Sequence, residues 1–167
     1  MKDFLLDTNI ISHFAHLKLD IASKEAGTIK EYISKISKEA KIFLCAINIG
    51  EIEYGYNVAD KNIKEDLKII CDYLKGFEIL SIDQAIAREC YAKIRALLFE
   101  KYCPRDGKRK RRLSEYKDPI TDKFIQVQEN DIWICATAMY YNLTLITADK
   151  LNAIKSVIKI DIENWII

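Results

Sequence analysis

Four acidic residues lie just after predicted strands or at the start of a predicted helix. They are Asp7, Glu51, Asp131 and Asp149. If the strands are parallel, their carboxyl ends share one edge of the sheet, and the four carboxylates gather there. At an effective dielectric of about 20, each pair of charges about 6 Å apart costs roughly 3 kcal/mol, so the cluster needs protonation or a cation. Ligand sets made only of oxygen atoms favour Mg²⁺ or Mn²⁺.

Each of these acids also has a purely structural interpretation. Asn48 and Glu51 are spaced as the N-cap and N3 residues of a capping box. Asp131 opens a predicted helix, where the helix dipole stabilises any anion, and Asp149 precedes KLNAI as an N-cap would. Asp7 is of a type common in turns. The shared placement at strand ends, rather than any single acid, therefore indicates a site.

Short apolar segments alternate with longer segments of helical spacing. The predicted strands are residues 4–6, 42–47, 77–82, 143–147 and 156–160. The predicted helices are residues 9–16, 21–39, 62–74, 83–102 and 131–141. Asp83 is the predicted N-cap of the fourth helix. This alternation predicts an α/β fold with a parallel sheet covered by helices on both faces, in which ligands bind beyond the carboxyl ends of the strands.

Composition limits the possible protein classes. The chain has 167 residues, of which 50% are hydrophobic and 31% charged, as is typical of one globular domain. No apolar run approaches the roughly 18–20 residues of a membrane span, and the N-terminus lacks a signal-peptide pattern, so we expect a cytoplasmic protein. Five cysteines without a CxxC pair argue against a disulfide framework or zinc site. The absence of GxxxxGK[ST] and GxGxxG argues against nucleoside triphosphate and dinucleotide binding.

A basic segment interrupts the alternation of strands and helices between residues 103 and 129. Residues 104–118 hold seven Lys or Arg against three Asp or Glu, although the net charge of the chain is only +1. The most basic positions are Lys108, Arg109, Lys110, Arg111 and Arg112. These side chains could bind the phosphates of RNA with salt-sensitive affinity. The alternative is a solvated loop with no binding role.

Four segments carry a family resemblance: FLLDTNIISHF, AINIGEIEYGY, NDIWICATAMYYNLTLITAD and IENWI. They resemble the signature segments of PIN-domain nucleases, and within that family they are most similar to the VapC-type toxins of type II toxin–antitoxin systems. The resemblance implies a PIN-like three-layer α/β/α fold with a central parallel sheet of about five strands. It implies a metal-dependent endoribonuclease, an antitoxin partner and homodimers. We expect one such domain over residues 1–167, with the basic insert at about 103–129.

The resemblance also assigns roles to individual positions. The catalytic and metal-binding acids of the family fall on Asp7, Glu51, Asp131 and Asp149. They are expected to hold Mg²⁺ or Mn²⁺ while water attacks the RNA phosphodiester. Asn9 and Thr147 fall on positions that often line the site. These toxins usually run shorter through residues 103–129, so their substrate preferences do not transfer to this chain.

Two rival functions stay open at this point. A degenerate PIN fold would bind RNA or a partner without cutting it. A haloacid-dehalogenase-like phosphatase also begins with an acid after its first strand, but it needs a second Asp two residues later, where this chain has Asn9. The apolar segments IKEYISKI and IEYGYNV could dock an antitoxin or a second copy, or could pack in the core.

Overall fold

A five-stranded parallel sheet organises the chain in this computed structural model, which describes residues 2–18, 24–106 and 111–166. The strands are β1 (Phe4–Leu6), β2 (Ile42–Cys45), β3 (Glu78–Leu80), β4 (Thr144–Ile146) and β5 (Ile162–Glu163). Their order in the sheet is β3–β2–β1–β4–β5, and all four neighbouring pairs are parallel. The carboxyl ends of β1, β2 and β4 therefore lie side by side.

The central strand, β1, is short because it is apolar over only three residues. All three of its side chains are buried, as expected for the middle of a parallel sheet. Leu5 is in register with Phe43 of β2 and with Leu145 of β4. The next residue after β1 is Asp7, so a polar side chain lies at the edge of the sheet, directly after the apolar strand.

The chain divides into two compact units. The first unit consists of Met1–Ser81, Leu143–Asp149 and Asp161–Ile167, and it contains all five strands. The second unit consists of Ile82–Asn142 and Lys150–Ile160. The expectation of a single domain over residues 1–167 stays a prediction.

Four helices belong to the described part of the first unit: α1 (Thr8–Lys18), α2 (Lys24–Lys35), α3 (Ala46–Val58) and α4 (Lys61–Leu74). Trp165 lies at the centre of its apolar core and is fully buried. The indole contacts the Phe4 ring edge-on at 5.2 Å and stacks on the Tyr32 ring at 5.8 Å. The segment after β5 thereby packs against both β1 and α2.

Four helical segments longer than three residues belong to the described part of the second unit. A π-helical stretch, Ile86–Tyr91, continues into α5 (Ala92–Tyr102), and α6 (Glu129–Tyr140) and α7 (Asn152–Lys155) follow. Asp83 caps the first of them, because its carboxylate accepts from the N–H groups of Ala85 (2.9 Å) and Ile86 (3.0 Å). The predicted N-cap at Asp83 is confirmed.

The described part of the basic insert is folded within the second unit. A 3₁₀ turn spans Leu113–Glu115, and Lys117 forms an antiparallel bridge with Phe124. Leu113, Tyr116 and Val127 are buried. The alternative of a solvated loop concerns residues 107–112, and it stays open because residues 107–110 lie outside the described ranges.

One predicted strand is wrong. Residues 156–160 do not join the sheet, and β5 lies at Ile162–Glu163 instead. The N–H groups of Ser156 and Ile158 bond to carbonyls of α7, so they end that helix rather than extend along a strand. The predicted strand 42–47 also ends early, since Ala46 and Ile47 begin α3.

Within the described ranges, no helix is both long and apolar enough to cross a bilayer.

Candidate active site

Asp7 lies at the junction between β1 and α1, where the backbone fixes its position. Its N–H donates to the carbonyl of Ile146 in β4 (2.9 Å), and its carbonyl accepts from Ile10 in the first turn of α1 (3.0 Å). One carboxylate oxygen accepts from the Thr8 N–H (2.7 Å), and the other accepts from the Thr147 hydroxyl (2.6 Å). Contacts with α1 and with the residue that follows β4 therefore hold the Asp7 side chain at the carboxyl edge of the sheet.

Asp7 is also the one buried acidic residue in the part of the chain that the structure describes, with 8% of its surface exposed. Burial raises the pKa of Asp7. The hydrogen bonds from Thr147 and Thr8 oppose that shift, and the nearby carboxylates of Asp149 and Glu51 add to it. A buried acid with two like charges nearby is an arrangement that a bound cation relieves.

Asn9 joins Asp7's surroundings to the segment after β4. Its amide oxygen accepts from the Ala148 N–H (3.1 Å), and its amide nitrogen donates to Asp149 Oδ2 (3.0 Å). The Thr147 hydroxyl accepts from the Asp149 N–H (3.0 Å) while it donates to Asp7. Asn9 and Thr147 thus lie between the carboxylates of Asp7 and Asp149.

Glu51 faces the same region from the second turn of α3. The Thr8 hydroxyl donates to its carboxylate, and Thr8 in turn accepts from the side-chain amide of Asn48 (3.0 Å). The capping interpretation of Glu51 is wrong: Cys45 is the N-cap of α3, and Asn48, at N3, accepts from its N–H (2.8 Å). Glu51 lies beyond the capping positions and bonds to α1 instead.

The structural interpretation of Asp149 is wrong as well. The N-cap of α7 is Leu151, whose backbone is left-handed at φ 46°. Asp149 lies two residues earlier, is exposed, and makes its side-chain hydrogen bond to Asn9. Its carboxylate is therefore bound by the residues around Asp7 and not by the following helix.

Asp131 belongs to the second unit and lies in the first turn of α6. Its carboxylate accepts from the backbone N–H of Gln128 (2.7 Å), so it caps the helix. Here the structural interpretation is confirmed. The metal-binding role of Asp131 stays a prediction.

Sequence reasoning missed Thr8 and Asn48. Thr8 touches both Asp7 and Glu51, and Asn48 is fully buried in a segment of otherwise apolar or small residues. The signal that could have found them was a polar residue three positions before Glu51 in AINIGE, combined with a hydroxyl directly after Asp7.

The basic positions divide into three groups. Lys108, Arg109 and Lys110 lie outside the described residues. Arg111 is paired with Asp106 and Glu115, and only 10% of its side chain is exposed. Arg112 is exposed to solvent. The phosphate-binding role stays a prediction for all five residues, but the guanidinium of Arg111 already forms ion pairs with acidic residues of the insert.

The donor chemistry of the first unit fits a hard divalent cation. Asp7, Glu51 and Asp149 offer only oxygen atoms, and Asp7 is a buried acid beside the other two. As they stand, no three His, Cys, Asp or Glu side chains within the described ranges are grouped tightly enough to be a metal site. The four-acid metal site therefore stays a prediction.

Comparison with protein families decides the identity of the fold. The model of the PIN domain matches residues 4–153. The chain belongs to the PIN-domain family. The family resemblance of the four sequence segments is confirmed, and so is the predicted fold class, a three-layer α/β/α fold with a parallel sheet of five strands. PIN-domain nucleases generally use divalent metal ions.

Solved structures support the same fold at low sequence identity. VapBC2 from Rickettsia felis, bound to a DNA fragment from its promoter, is 21% identical with a TM-score of 0.66 and covers 97% of this chain and 98% of its own. VapBC-1 from nontypeable Haemophilus influenzae is 20% identical with a TM-score of 0.64, covering 97% of each chain. VapBC-5 from Mycobacterium tuberculosis, a member of the VapBC family of toxin–antitoxin systems, is 20% identical with a TM-score of 0.61 and covers 100% of each. No curated protein sequence matches significantly.

Proposed function

We propose that this PIN-domain protein is a metal-dependent endoribonuclease that hydrolyses RNA phosphodiester bonds, and that it is the toxin of a toxin–antitoxin pair. One observation carries the proposal. The buried carboxylate of Asp7 lies at the carboxyl edge of a parallel sheet, hydrogen-bonded to Thr147 and electrostatically coupled to Glu51 and Asp149. That edge is where α/β folds bind ligands.

The residues of this edge have distinct tasks in the proposed reaction. Asp7, Glu51 and Asp149 would hold Mg²⁺ or Mn²⁺, with Asp131 as the fourth acid that the family resemblance assigns. Such an ion, when bound, makes water more acidic and stabilises negative charge on a phosphate. Thr8 and Thr147 hold the two oxygens of Asp7 in defined directions. Asn9 holds Asp149 at its distance from Asp7.

The proposed partner is an antitoxin protein, and the proposed assembly is a homodimer that acts in the cytoplasm. Support comes from the comparison structures, which are toxin–antitoxin complexes by name, and from the surface of α3. That helix is apolar over most of its length, yet Asn48 is its one buried residue. Tyr54 and Val58 of α3 are 69% and 62% exposed. Exposed apolar residues grouped on one helix are typical of an interaction surface.

Asp7→Asn tests the catalytic proposal directly. The substitution keeps the size of the side chain but removes the charge, so we expect metal-dependent RNA cleavage to fall by at least about a hundredfold because the cation loses a ligand. Asp72→Asn on the surface of α4 is the matched control, and it should leave cleavage unchanged. Cleavage at full rate in excess chelator would refute the metal-dependent reaction.

A further inference from the structure

Hydrogen-bond direction around Asn48 is fixed by the backbone. The N–H of Cys45 can only donate, and it meets the amide oxygen of Asn48 at 2.8 Å. The amide nitrogen of Asn48 therefore points the other way, where it donates to the Thr8 hydroxyl at 3.0 Å. Asn48 is fully buried, so this orientation is set inside the protein and not by solvent.

The direction of the next bond follows from the chemistry of a hydroxyl group. A threonine hydroxyl has one proton to give. Because the Thr8 oxygen accepts from Asn48, its proton is directed to the other neighbour, the carboxylate of Glu51. The series of bonds therefore runs in one direction, from the Cys45 N–H through Asn48 and Thr8 to Glu51, and we name this series the Asn48 relay.

A second series of hydrogen bonds in the first unit also has its direction set by backbone N–H groups. The Ala148 N–H fixes the amide of Asn9, and the Asp149 N–H donates to the Thr147 hydroxyl. Thr147 must then give its proton to Asp7. In both series a backbone N–H sets the direction, and a threonine delivers a hydrogen bond to an acid.

We propose that Asn48 and Thr8 are positioning residues that set the rotamer of the Glu51 carboxylate before substrate or cation binds. The inference rests on the proposed function, since it gives the Asn48 relay a task in the acidic site. Residues that hydrogen-bond to a metal ligand usually restrict its orientation, and removing one costs about 10- to 100-fold in metal affinity or activity. Asn48 and Thr8 act through Glu51 and do not touch substrate.

The primary test reads the Glu51 carboxyl carbon by NMR in metal-free protein at neutral pH. Thr8→Val removes the hydroxyl at nearly constant shape, and it should shift this resonance, whereas Thr8→Ser should keep the wild-type value. Asn48→Asp keeps an acceptor for the Cys45 N–H but loses the donor to Thr8, and it should also shift the resonance. An unchanged Glu51 resonance in Thr8→Val would overturn the relay.

A double-mutant cycle separates positioning from mere stability. Mn²⁺ alone is titrated into wild type, Thr8→Val, Asn48→Asp and the double variant, and kcat and KM for RNA cleavage are measured in parallel. Each single substitution should weaken Mn²⁺ binding and lower kcat about 10- to 100-fold with little change in KM. The double variant should resemble Thr8→Val, because Asn48 acts through Thr8. Additive losses would contradict the relay.

The two proposals fail in different ways. If wild type cleaves no RNA but Thr8→Val still shifts the Glu51 resonance, the nuclease proposal fails and the relay stands. If wild type cleaves RNA and Thr8→Val matches it in resonance, Mn²⁺ affinity and kcat, the relay fails and the nuclease proposal stands.

Discussion

At the scale of single residues, Asp7 shows how opposing effects are balanced in the site. Burial favours the protonated form of its carboxyl group, while hydrogen bonds from Thr147 and Thr8 favour the ionised form. Burial is the larger effect, and the charges of Glu51 and Asp149 act in the same direction. The charges around Asp7 therefore favour the approach of a cation over that of a neutral ligand.

The pKa of Asp7 is the first prediction at this scale. A carboxyl-carbon NMR titration of metal-free protein should give Asp7 a midpoint above its ordinary value of 3.8. Asp72 is the internal control, since its hydrogen bond to Lys75 lowers its pKa below 3.8. A midpoint for Asp7 at or below that of Asp72 would contradict the burial argument.

The same shift sets the sign of a stability effect. The folded protein binds the Asp7 proton more tightly than the unfolded chain does, so this contribution to the free energy of unfolding is fully present below pH 3.8. It is lost as the pH rises through the raised pKa. Because a cation competes with that proton, Mg²⁺ should raise the melting temperature more at pH 7 than near pH 4.

Residue types and spacing predicted part of the site. Asp7 follows the end of a recognisable strand, so a local pattern predicted its position at the edge of the sheet. Asn9 came from the family resemblance, and its role in the site stays a prediction. The bonds from Asn48 to Thr8 and from Thr8 to Glu51 join positions about forty residues apart. No local pattern encodes such contacts, and for that reason local spacing assigns the capping box to the wrong pair.

At the scale of elements, the strands were predictable where apolar runs begin and end abruptly. β1 and β4 match the prediction closely, since polar residues follow each of them. SVIKI is rich in β-branched residues, as strands often are, but the N–H groups of Ser156, Val157 and Ile158 bond to carbonyls of α7, so local composition misplaced the fifth strand. Propensity cannot distinguish a strand from a helix end when both use the same residue types.

Asp83 provides the prediction at this scale. Its carboxylate accepts two backbone N–H groups, so Asp83→Ala should lower the free energy of unfolding by about 1 kcal/mol. Asp60 is also an N-cap, of α4, but its side chain makes no capping hydrogen bond. Asp60→Ala is therefore the matched control and should cost less than about 0.5 kcal/mol. Equal losses in urea unfolding would show that the Asp83 bonds contribute nothing.

At the scale of the whole molecule, the sequence predicted the α/β class and the PIN family, which matches residues 4–153. It did not predict the division into two units, because both units contain segments that are distant in sequence. The sequence also could not predict which apolar residues of α3 are exposed. Helical spacing of apolar residues identifies a buried side only when the two sides of the helix differ. In α3, apolar residues occur both against the core, as at Ile52, and on the exposed side, as at Tyr54 and Val58.

The proposed homodimer gives the first prediction at this scale. If α3 forms an interface, replacing both Tyr54 and Val58 with Glu should convert a dimer to a monomer, because the charges would be buried without partners. Ile120→Glu is the control, since Ile120 is 92% exposed in the insert of the second unit. Light scattering measures the mass of each variant. A monomeric wild type would contradict the homodimer, and a dimer that survives both substitutions would place its interface elsewhere.

The charge of the basic insert gives the second prediction at the scale of the whole molecule. RNA binding through phosphates depends on salt, and removing one phosphate-binding cation should reduce the slope of log affinity against log salt by up to about one. Replacing Lys108, Arg109, Lys110 and Arg112 together with Gln should therefore weaken binding and flatten this slope. Arg111→Gln should instead lower stability, because Arg111 is held by Asp106 and Glu115 inside the insert. Binding to a single-stranded RNA, measured from about 50 to 200 mM salt, checks both expectations. An unchanged slope in the fourfold variant would remove the insert from the RNA-binding surface.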